Sequence, residues 1–136
     1  MSKRVLTLIL GCLSLCFGLI LYLLFRENTY ITKAIEYILP LANIRPYTAT
    51  WANAFTQYYL PDFLWSFSLS SLSTAFCAHS QKETILFCFL GAFCGIFWEF
   101  SQWVGLFNGT GDCLDIIMYF LGSCLCLLIN LKEKKT

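Results

Sequence analysis

Hydrophobic residues occupy four long stretches of the chain, and short polar segments separate them. The stretches cover residues 5–25, 62–79, 84–107 and 114–131. Because an α-helix rises 1.5 Å per residue, about 20 apolar residues cross the roughly 30 Å of a bilayer core. The pattern predicts an all-α, polytopic membrane protein, with a single membrane domain over residues 1–136 built as a bundle of four transmembrane helices.

The composition agrees with a membrane location. Hydrophobic residues make up 58% of the chain and charged residues 12%, with a mean hydropathy of +0.68, whereas a soluble domain carries about 25% charged residues. The net charge of +1 and the lack of a long basic segment exclude a typical nucleic-acid binder. Residues 5–25 exceed the length of a signal-peptide core and lack a cleavage site, which predicts a retained span.

Small and hydroxylated residues within the spans indicate where helices pack together. Gly91 and Gly95 have the small-x-x-x-small spacing that lets two helix backbones approach closely, and Gly122 is predicted to act similarly in the last span. The second span carries six hydroxyl side chains, which are predicted to face other helices rather than lipid: Ser66, Ser68, Ser70, Ser71, Ser73 and Thr74.

Basic residues are unequally distributed between the two sides of the predicted bundle. With four spans, both termini and the 80–83 connection share one side, which holds Lys3, Arg4, Lys82, Lys132, Lys134 and Lys135. The other side holds Arg26, Lys33 and Arg45. The positive-inside rule therefore predicts a multi-pass protein of the cell membrane with both termini in the cytoplasm and residues 26–61 outside.

The outer loop, residues 26–61, contains two amphipathic patterns that predict short interfacial helices. The first consists of Ile31, Ile35 and Ile38. The second is aromatic, is interrupted by Pro61, and consists of Trp51, Phe55, Tyr58 and Tyr59. These aromatic side chains are predicted either to anchor the fold in the headgroup zone or to form a platform for a lipid headgroup.

The eight cysteines of the chain do not form a metal-binding pattern. Most lie within the apolar stretches, where cysteine acts as a small hydrophobic residue. There is no C-x-x-C pair, and the single histidine, His79, has no histidine partner for zinc. Cys113 lies in a polar connection and is the candidate for a reactive or intermolecular thiol.

Four acidic side chains are predicted to meet on the outer side of the bundle, namely Asp62, Glu99, Asp112 and Asp115. Glu99 lies roughly 10 Å inside the third span, where a charged carboxylate is costly unless it is protonated, hydrated or paired. Gln102 follows three residues later on the same helical face. Helix capping is the alternative explanation for the three aspartates.

Such a cluster either holds protons, binds a cation or recruits Arg45 or Lys33 from the outer loop. Carboxylates crowded at low dielectric form a candidate acid and base pair. Oxygen ligands would suit a divalent cation such as Mg²⁺ or Ca²⁺, although no spacing specifies either, and no other cofactor is predicted. Nucleophilic catalysis is disfavoured, because no serine lies in an elbow motif and His79 is predicted on the opposite side.

The last two spans contain Trp98-Glu99-Phe-Ser-Gln102, then Gly109-Thr-Gly-Asp112-Cys-Leu-Asp115, then Gly122. This stretch resembles the signature hairpin of the VanZ-like family of membrane proteins, which has a Glu-x-x-Gln pair, a short turn, an Asp-x-x-Asp pair and a helix glycine. Many members have an Arg in the turn and an Asn one turn after the Asp pair. This chain has Asn108-Gly-Thr-Gly and Tyr119 there, so a mechanism that relies on that Arg does not carry over.

The resemblance implies a bacterial cell-envelope protein whose named relative is linked to resistance to the glycopeptide teicoplanin. The family motif maps onto Glu99, Gln102, Asp112 and Asp115. It adds a biological setting to the carboxylate cluster that the residues alone predict.

Two functions fit these residues, and membrane lipids are the expected partners in both. The first is binding or modulating a lipid, a lipid-linked cell-wall precursor or a glycopeptide, with candidate ligand-binding residues Gln102, Asp62, Trp98 and Trp51. The alternative is a membrane enzyme that acts on a lipid headgroup by acid/base or metal-assisted chemistry, with candidate catalytic residues Glu99, Asp112 and Asp115. The sequence leaves the oligomeric state open.

Overall fold

The computed structural model describes residues 2–25, 37–38 and 55–131, and every regular element of these residues is helical. The elements are α1 (Lys3–Phe25), α2 (Leu60–Cys77), α3 (Gln81–Cys88), α4 (Leu90–Trp103) and α5 (Cys113–Asn130). A π-helical turn, Phe55–Tyr59, leads directly into α2. The predicted all-α class is confirmed.

Three helical segments in the described part of the chain are long and apolar enough to cross a membrane, namely Lys3–Leu23, Gln81–Trp103 and Cys113–Asn130. They coincide with the first, third and fourth predicted spans, and they are consistent with a membrane protein. The second predicted span forms the helix α2, whose many serines make it less apolar than the other three.

The helix α2 lies at the centre of the bundle and contacts α1, α3, α4 and α5. Its hydroxyl side chains are predominantly buried against these neighbours, as the sequence predicts: Ser66, Ser68, Ser70, Ser71 and Thr74. Ser66 Oγ donates to the main-chain oxygen of Tyr119 at 2.6 Å, and Ser70 Oγ accepts from the Gly91 N–H at 3.0 Å. These bonds compensate the loss of water around buried hydroxyl groups.

Glycines let α2 approach α4 and α5 closely, which confirms the predicted packing role of Gly91, Gly95 and Gly122. A Cβ added at Gly91 would lie 2.3 Å from the main-chain oxygen of Ser66. At Gly95, an added Cβ would overlap the ring of Tyr119. At Gly91 the backbones of α2 and α4 therefore meet where any side chain would force them apart, and at Gly95 the missing side chain leaves room for the Tyr119 ring.

The consecutive helices α3 and α4 form one apolar segment, Gln81–Trp103. The start of α1 lies beside the residue that follows the end of α5. Lys3 Nζ donates to the main-chain oxygen of Leu131 at 3.0 Å, and Arg4 Nε donates to that of Ala75 at 2.6 Å. We call this the Lys3 end of the bundle. The opposite end, where α2 begins, is the Asp62 end. His79 follows α2 at the Lys3 end, away from Asp62, as predicted.

The third predicted span differs from the structure at both ends. It begins at Gln81 rather than residue 84, because Ser80 Oγ accepts from the Glu83 N–H at 3.2 Å and caps α3. It ends at Trp103 rather than residue 107, because Gly105 adopts φ 74° and the Leu106 N–H donates to the oxygen of Ser101 at 2.9 Å. This is a Schellman motif, which hydrophobic periodicity does not reveal.

The aromatic pattern that precedes α2 also differs from expectation. Pro61 does not interrupt the helix but lies in its first turn, where a missing N–H leaves no hydrogen bond unmade. The remaining loop predictions lie outside the described residues, including those for Ile31, Ile35, Trp51, Arg26, Lys33 and Arg45.

Candidate functional site

A half-open cavity of about 1760 Å³ lies at the Asp62 end of the bundle, and we call it the main cavity. Typical pockets for small molecules measure about 300–1,000 Å³. Its walls come from α1, the π-helical turn, α2, α4, α5 and the 104–112 connection. The described lining includes all but one of the predicted site residues, namely Asp62, Trp98, Glu99, Gln102, Asp112 and Asp115.

Glu99 is almost completely buried in this wall, with 2% of its surface exposed. Its Oε2 atom accepts a hydrogen bond from the main-chain N–H of Asp112 at 2.8 Å. A carboxylate that accepts main-chain N–H bonds is better tolerated away from water. The bond also ties α4 to the start of α5, which brings the two halves of the predicted carboxylate cluster together.

Tyr119 joins the acidic residues of different helices. Its hydroxyl lies 3.2 Å from Asp62 Oδ1 and 3.4 Å from Glu99 Oε1. Because a phenol has a single hydrogen to donate, it can bond strongly to one of these oxygens at a time. The hydroxyl thus lies between α2 and α4, and its residue, on α5, is part of the lining of the main cavity.

The two aspartates at the start of α5 have different surroundings. Asp112 is the N-cap of the helix, and its Oδ1 atom accepts from the Leu114 N–H at 2.9 Å. The predicted capping role is therefore confirmed, and the residue lines the main cavity as well. Asp115 lies one turn into α5 on the same lining. Partial burial raises the pKa of nearby Tyr59, and the charges of Asp112 and Asp115 raise it further.

The connection between α4 and α5 contributes residues to the cavity lining. Its glycines allow close contacts: a Cβ at Gly109, where φ is 147°, would overlap the Gln102 side chain, and one at Gly111 would overlap Trp103. The ring of Trp98 stacks on Phe107 with centroids 4.9 Å apart. The Gly-Thr-Gly sequence therefore shapes the wall next to Glu99.

Tyr119 is the central residue that sequence reasoning missed as a site residue. It follows Asp112 by seven positions and Asp115 by four, so the three share one face of α5. That spacing is the sequence signal from which Tyr119 could have been predicted as a site residue. Trp51, the remaining predicted ligand-binding residue, lies outside the described residues.

The described residues bring no group of three or more His, Cys, Asp or Glu side chains into a geometry that could hold a metal ion.

The cysteines do not contribute a disulfide, since all eight are free thiols. Cys88 and Cys126 are fully buried between helices, which is the hydrophobic role predicted for most of them. Cys113 is exposed at the first position of α5.

No family model matches the chain, and no curated protein or solved structure matches it either.

Proposed function

We propose that this chain is a membrane protein that binds a lipid, a lipid-linked cell-wall precursor or a glycopeptide in the main cavity. The observation that carries the proposal is the composition of the cavity wall. One continuous cavity combines exposed aromatic rings with a few oxygen-bearing side chains at its Asp62 end. Ligand sites typically have this character, in which apolar walls provide contact area and a few polar groups fix orientation.

The polar end suits a ligand that donates hydrogen bonds. A carboxylate has about four lone-pair positions; Glu99 uses one for the Asp112 N–H and shares the Tyr119 hydroxyl with Asp62. The remaining acceptor positions of the wall, together with the amide of Gln102, match hydroxyl or amine groups. Trp65 and Trp98 offer flat surfaces beside them, on which a sugar ring or a hydrocarbon chain packs well.

We further propose a membrane arrangement for this site. In it, α2 is a fourth span, short interfacial helices cover part of the outer loop, and both termini are cytoplasmic, so that the Asp62 end faces outward. The burial of the α2 serines against other helices supports the fourth span, because their hydroxyl groups would then be shielded from lipid. The excess of basic residues near the termini supports the orientation.

Membership of the VanZ-like family, with a link to glycopeptide resistance, is part of the same proposal. Its support is the motif itself, whose Glu99, Gln102, Asp112 and Asp115 all line the main cavity. Expression of the chain in a teicoplanin-susceptible bacterium tests this directly. We expect reduced susceptibility with the wild-type chain, and an unchanged susceptibility would contradict the resistance link.

Thermal unfolding in detergent with added probes tests the binding function. The probes are phosphatidylethanolamine, undecaprenyl phosphate and teicoplanin, one for each ligand class. A ligand that binds only the folded protein stabilises it by about 2.7 kcal/mol at 100 times its Kd. We expect one probe to raise the Tm of the wild type but not that of Glu99→Gln. The control is Glu83→Gln, whose substitution lies at the Lys3 end, and its Tm should rise as that of the wild type does. Equal shifts in all three proteins, or none, would contradict the proposal.

A membrane enzyme acting on a lipid headgroup is the second candidate, and one observation favours it. The Tyr119 hydroxyl lies 3.2 Å from Asp62 Oδ1 and 3.4 Å from Glu99 Oε1, so two carboxyl groups that can act as acid or base in catalysis lie side by side in the cavity wall. Lipid profiles of cells that express the wild type or Glu99→Gln separate the candidates. A modified lipid that accumulates only with the wild type favours the enzyme, whereas identical profiles favour binding alone.

A further inference from the structure

The main cavity continues from its polar end into an apolar groove, which we call the chain groove. The helix α2 forms its floor, while α1 and α4 form its two walls. The described side chains along it are predominantly hydrophobic, namely Leu15 and Tyr22 of α1, Leu69 and Leu72 of α2, and Cys94 of α4. These walls belong to helices that are apolar enough to lie in a membrane.

The depth of the chain groove corresponds to one leaflet of a bilayer. Leu72 follows Asp62 by ten positions on the same helix, which is about 15 Å at 1.5 Å per residue. The hydrocarbon core of a bilayer is about 30 Å thick. A molecule with its polar group at Asp62 and its tail at Leu72 would therefore span half of that thickness.

A buried hydroxyl marks an intermediate depth in the same cavity. Ser68 lines the cavity, is 1% exposed, and its Oγ atom has no hydrogen-bond partner among the described residues. It follows Asp62 by six positions, which is about 9 Å along the helix. A buried donor without an acceptor is unfavourable. A ligand oxygen at this depth would satisfy it after a small shift of the side chains that cover the Oγ atom.

We infer that the ligand of the main cavity is a lipid with one hydrocarbon chain in the chain groove and its headgroup at the Asp62 end. The inference rests on the proposed binding function. It narrows the ligand to a lipid or lipid-linked molecule whose hydrocarbon chain lies within one leaflet of the bilayer. The Ser68 hydroxyl then bonds to an acceptor oxygen where headgroup and chain join, such as an ester carbonyl. A free water-soluble glycopeptide would leave the groove unfilled.

Substitutions that fill the groove test this inference. Leu69→Trp places a larger side chain in the groove on the α2 side, and Cys94→Trp does so on the α4 side. Leu125→Trp is the matched control, because Leu125 is 39% exposed against 38% for Leu69 and lies on α5 outside the described cavity lining. Each protein is reconstituted in vesicles of phosphatidylethanolamine and phosphatidylglycerol and extracted into mild detergent. Native mass spectrometry then counts the phospholipids that remain bound.

We expect the wild type and Leu125→Trp to retain one phospholipid and the two groove variants to lose it. Circular dichroism establishes that the helices of each variant are intact, and Ser68→Ala, which fills no space, should weaken retention without abolishing it. Retention by both folded groove variants would overturn the inference, as would a wild type that retains no phospholipid.

The Glu99→Gln variant separates this inference from the proposed function. If Glu99→Gln loses the bound molecule while the groove variants keep it, the carboxylates recognise a ligand that does not use the groove, and only the inference fails. If the groove variants lose the lipid and Glu99→Gln keeps it, the groove holds a chain, and recognition by the carboxylate end fails instead.

Discussion

The main-chain N–H of Asp112 donates a hydrogen bond to Glu99 Oε2 at 2.8 Å, so one buried carboxylate secures the start of the last helix. The same carboxylate faces the Tyr119 hydroxyl through its other oxygen. Glu99 therefore has a structural role in the hairpin in addition to its position in the cavity wall. Experiments on this residue have to separate the two roles, which conservative and non-conservative substitutions can do.

Glu99→Leu should destabilise the protein, whereas Glu99→Gln should largely retain the fold. Leucine leaves the Asp112 N–H without an acceptor, at a cost of about 1–3 kcal/mol, while glutamine keeps one carbonyl oxygen in reach. Thermal unfolding in detergent, followed by circular dichroism, compares the two variants. Equal stability of Glu99→Leu and the wild type would contradict the structural role.

Tyr119→Phe should separate ligand binding from folding. The substitution keeps the ring that packs against Gly95 and removes only the hydroxyl between Asp62 and Glu99. We expect a stability loss of about 1 kcal/mol together with a loss of the probe-induced Tm shift. A matched control is Tyr37→Phe, since Tyr37 is 93% exposed and lies outside the described cavity lining. If Tyr119→Phe responds to the probe as the wild type does, the hydroxyl has no part in recognition.

Gly91→Ala should be more damaging than Gly18→Ala. An added Cβ at Gly91 would lie 2.3 Å from the main-chain oxygen of Ser66, which cannot move without displacing α2. At Gly18 the nearest atom is a side-chain carbon of Leu64 at 3.3 Å. Overpacking of this kind costs about 1–3 kcal/mol, so the Tm of Gly91→Ala should fall clearly below that of Gly18→Ala. Similar Tm values would argue against the close approach of α2 and α4.

Cys88 and Cys126 should form a disulfide under mild oxidation, because their sulfur atoms are 3.5 Å apart between α3 and α5. Treatment with diamide, a membrane-permeant oxidant of thiols, followed by peptide mass spectrometry identifies the crosslink. Cys88→Ser should abolish it, and the Cys12→Ser control should not. A disulfide from Cys88 or Cys126 to another cysteine, in place of the Cys88–Cys126 crosslink, would contradict the packing of α3 against α5.

The length of each hydrophobic stretch and the spacing of serines within it can be read from that stretch alone. The sequence therefore predicts the approximate positions of the helices. It also predicts that Glu99, Gln102, Asp112 and Asp115 share one region, since a short hairpin constrains them. The third predicted span extends four residues beyond the end of α4 at Trp103, because a left-handed glycine at Gly105 terminates the helix without a change in hydrophobicity.

The depth and shape of the cavity could not be predicted from the sequence. They depend on α2 being the central helix, which leaves a groove between α1 and α4. The bridging position of Tyr119 depends on the same geometry, since its hydroxyl reaches Asp62 only when α2 and α5 pack closely at Gly122. Such contacts join residues far apart in the chain, and periodicity within one segment does not encode them.

The most direct test of the proposed ligand site is native mass spectrometry of the protein purified gently from its own membranes. The wild type is compared with the combined variant Glu99→Gln and Asp115→Asn, which keeps the size of both side chains and replaces both carboxyl groups with amides. We predict a bound small molecule in one-to-one ratio on the wild type and its absence from the variant. The same bound species on both proteins, or none on either, would contradict a ligand site at these carboxylates.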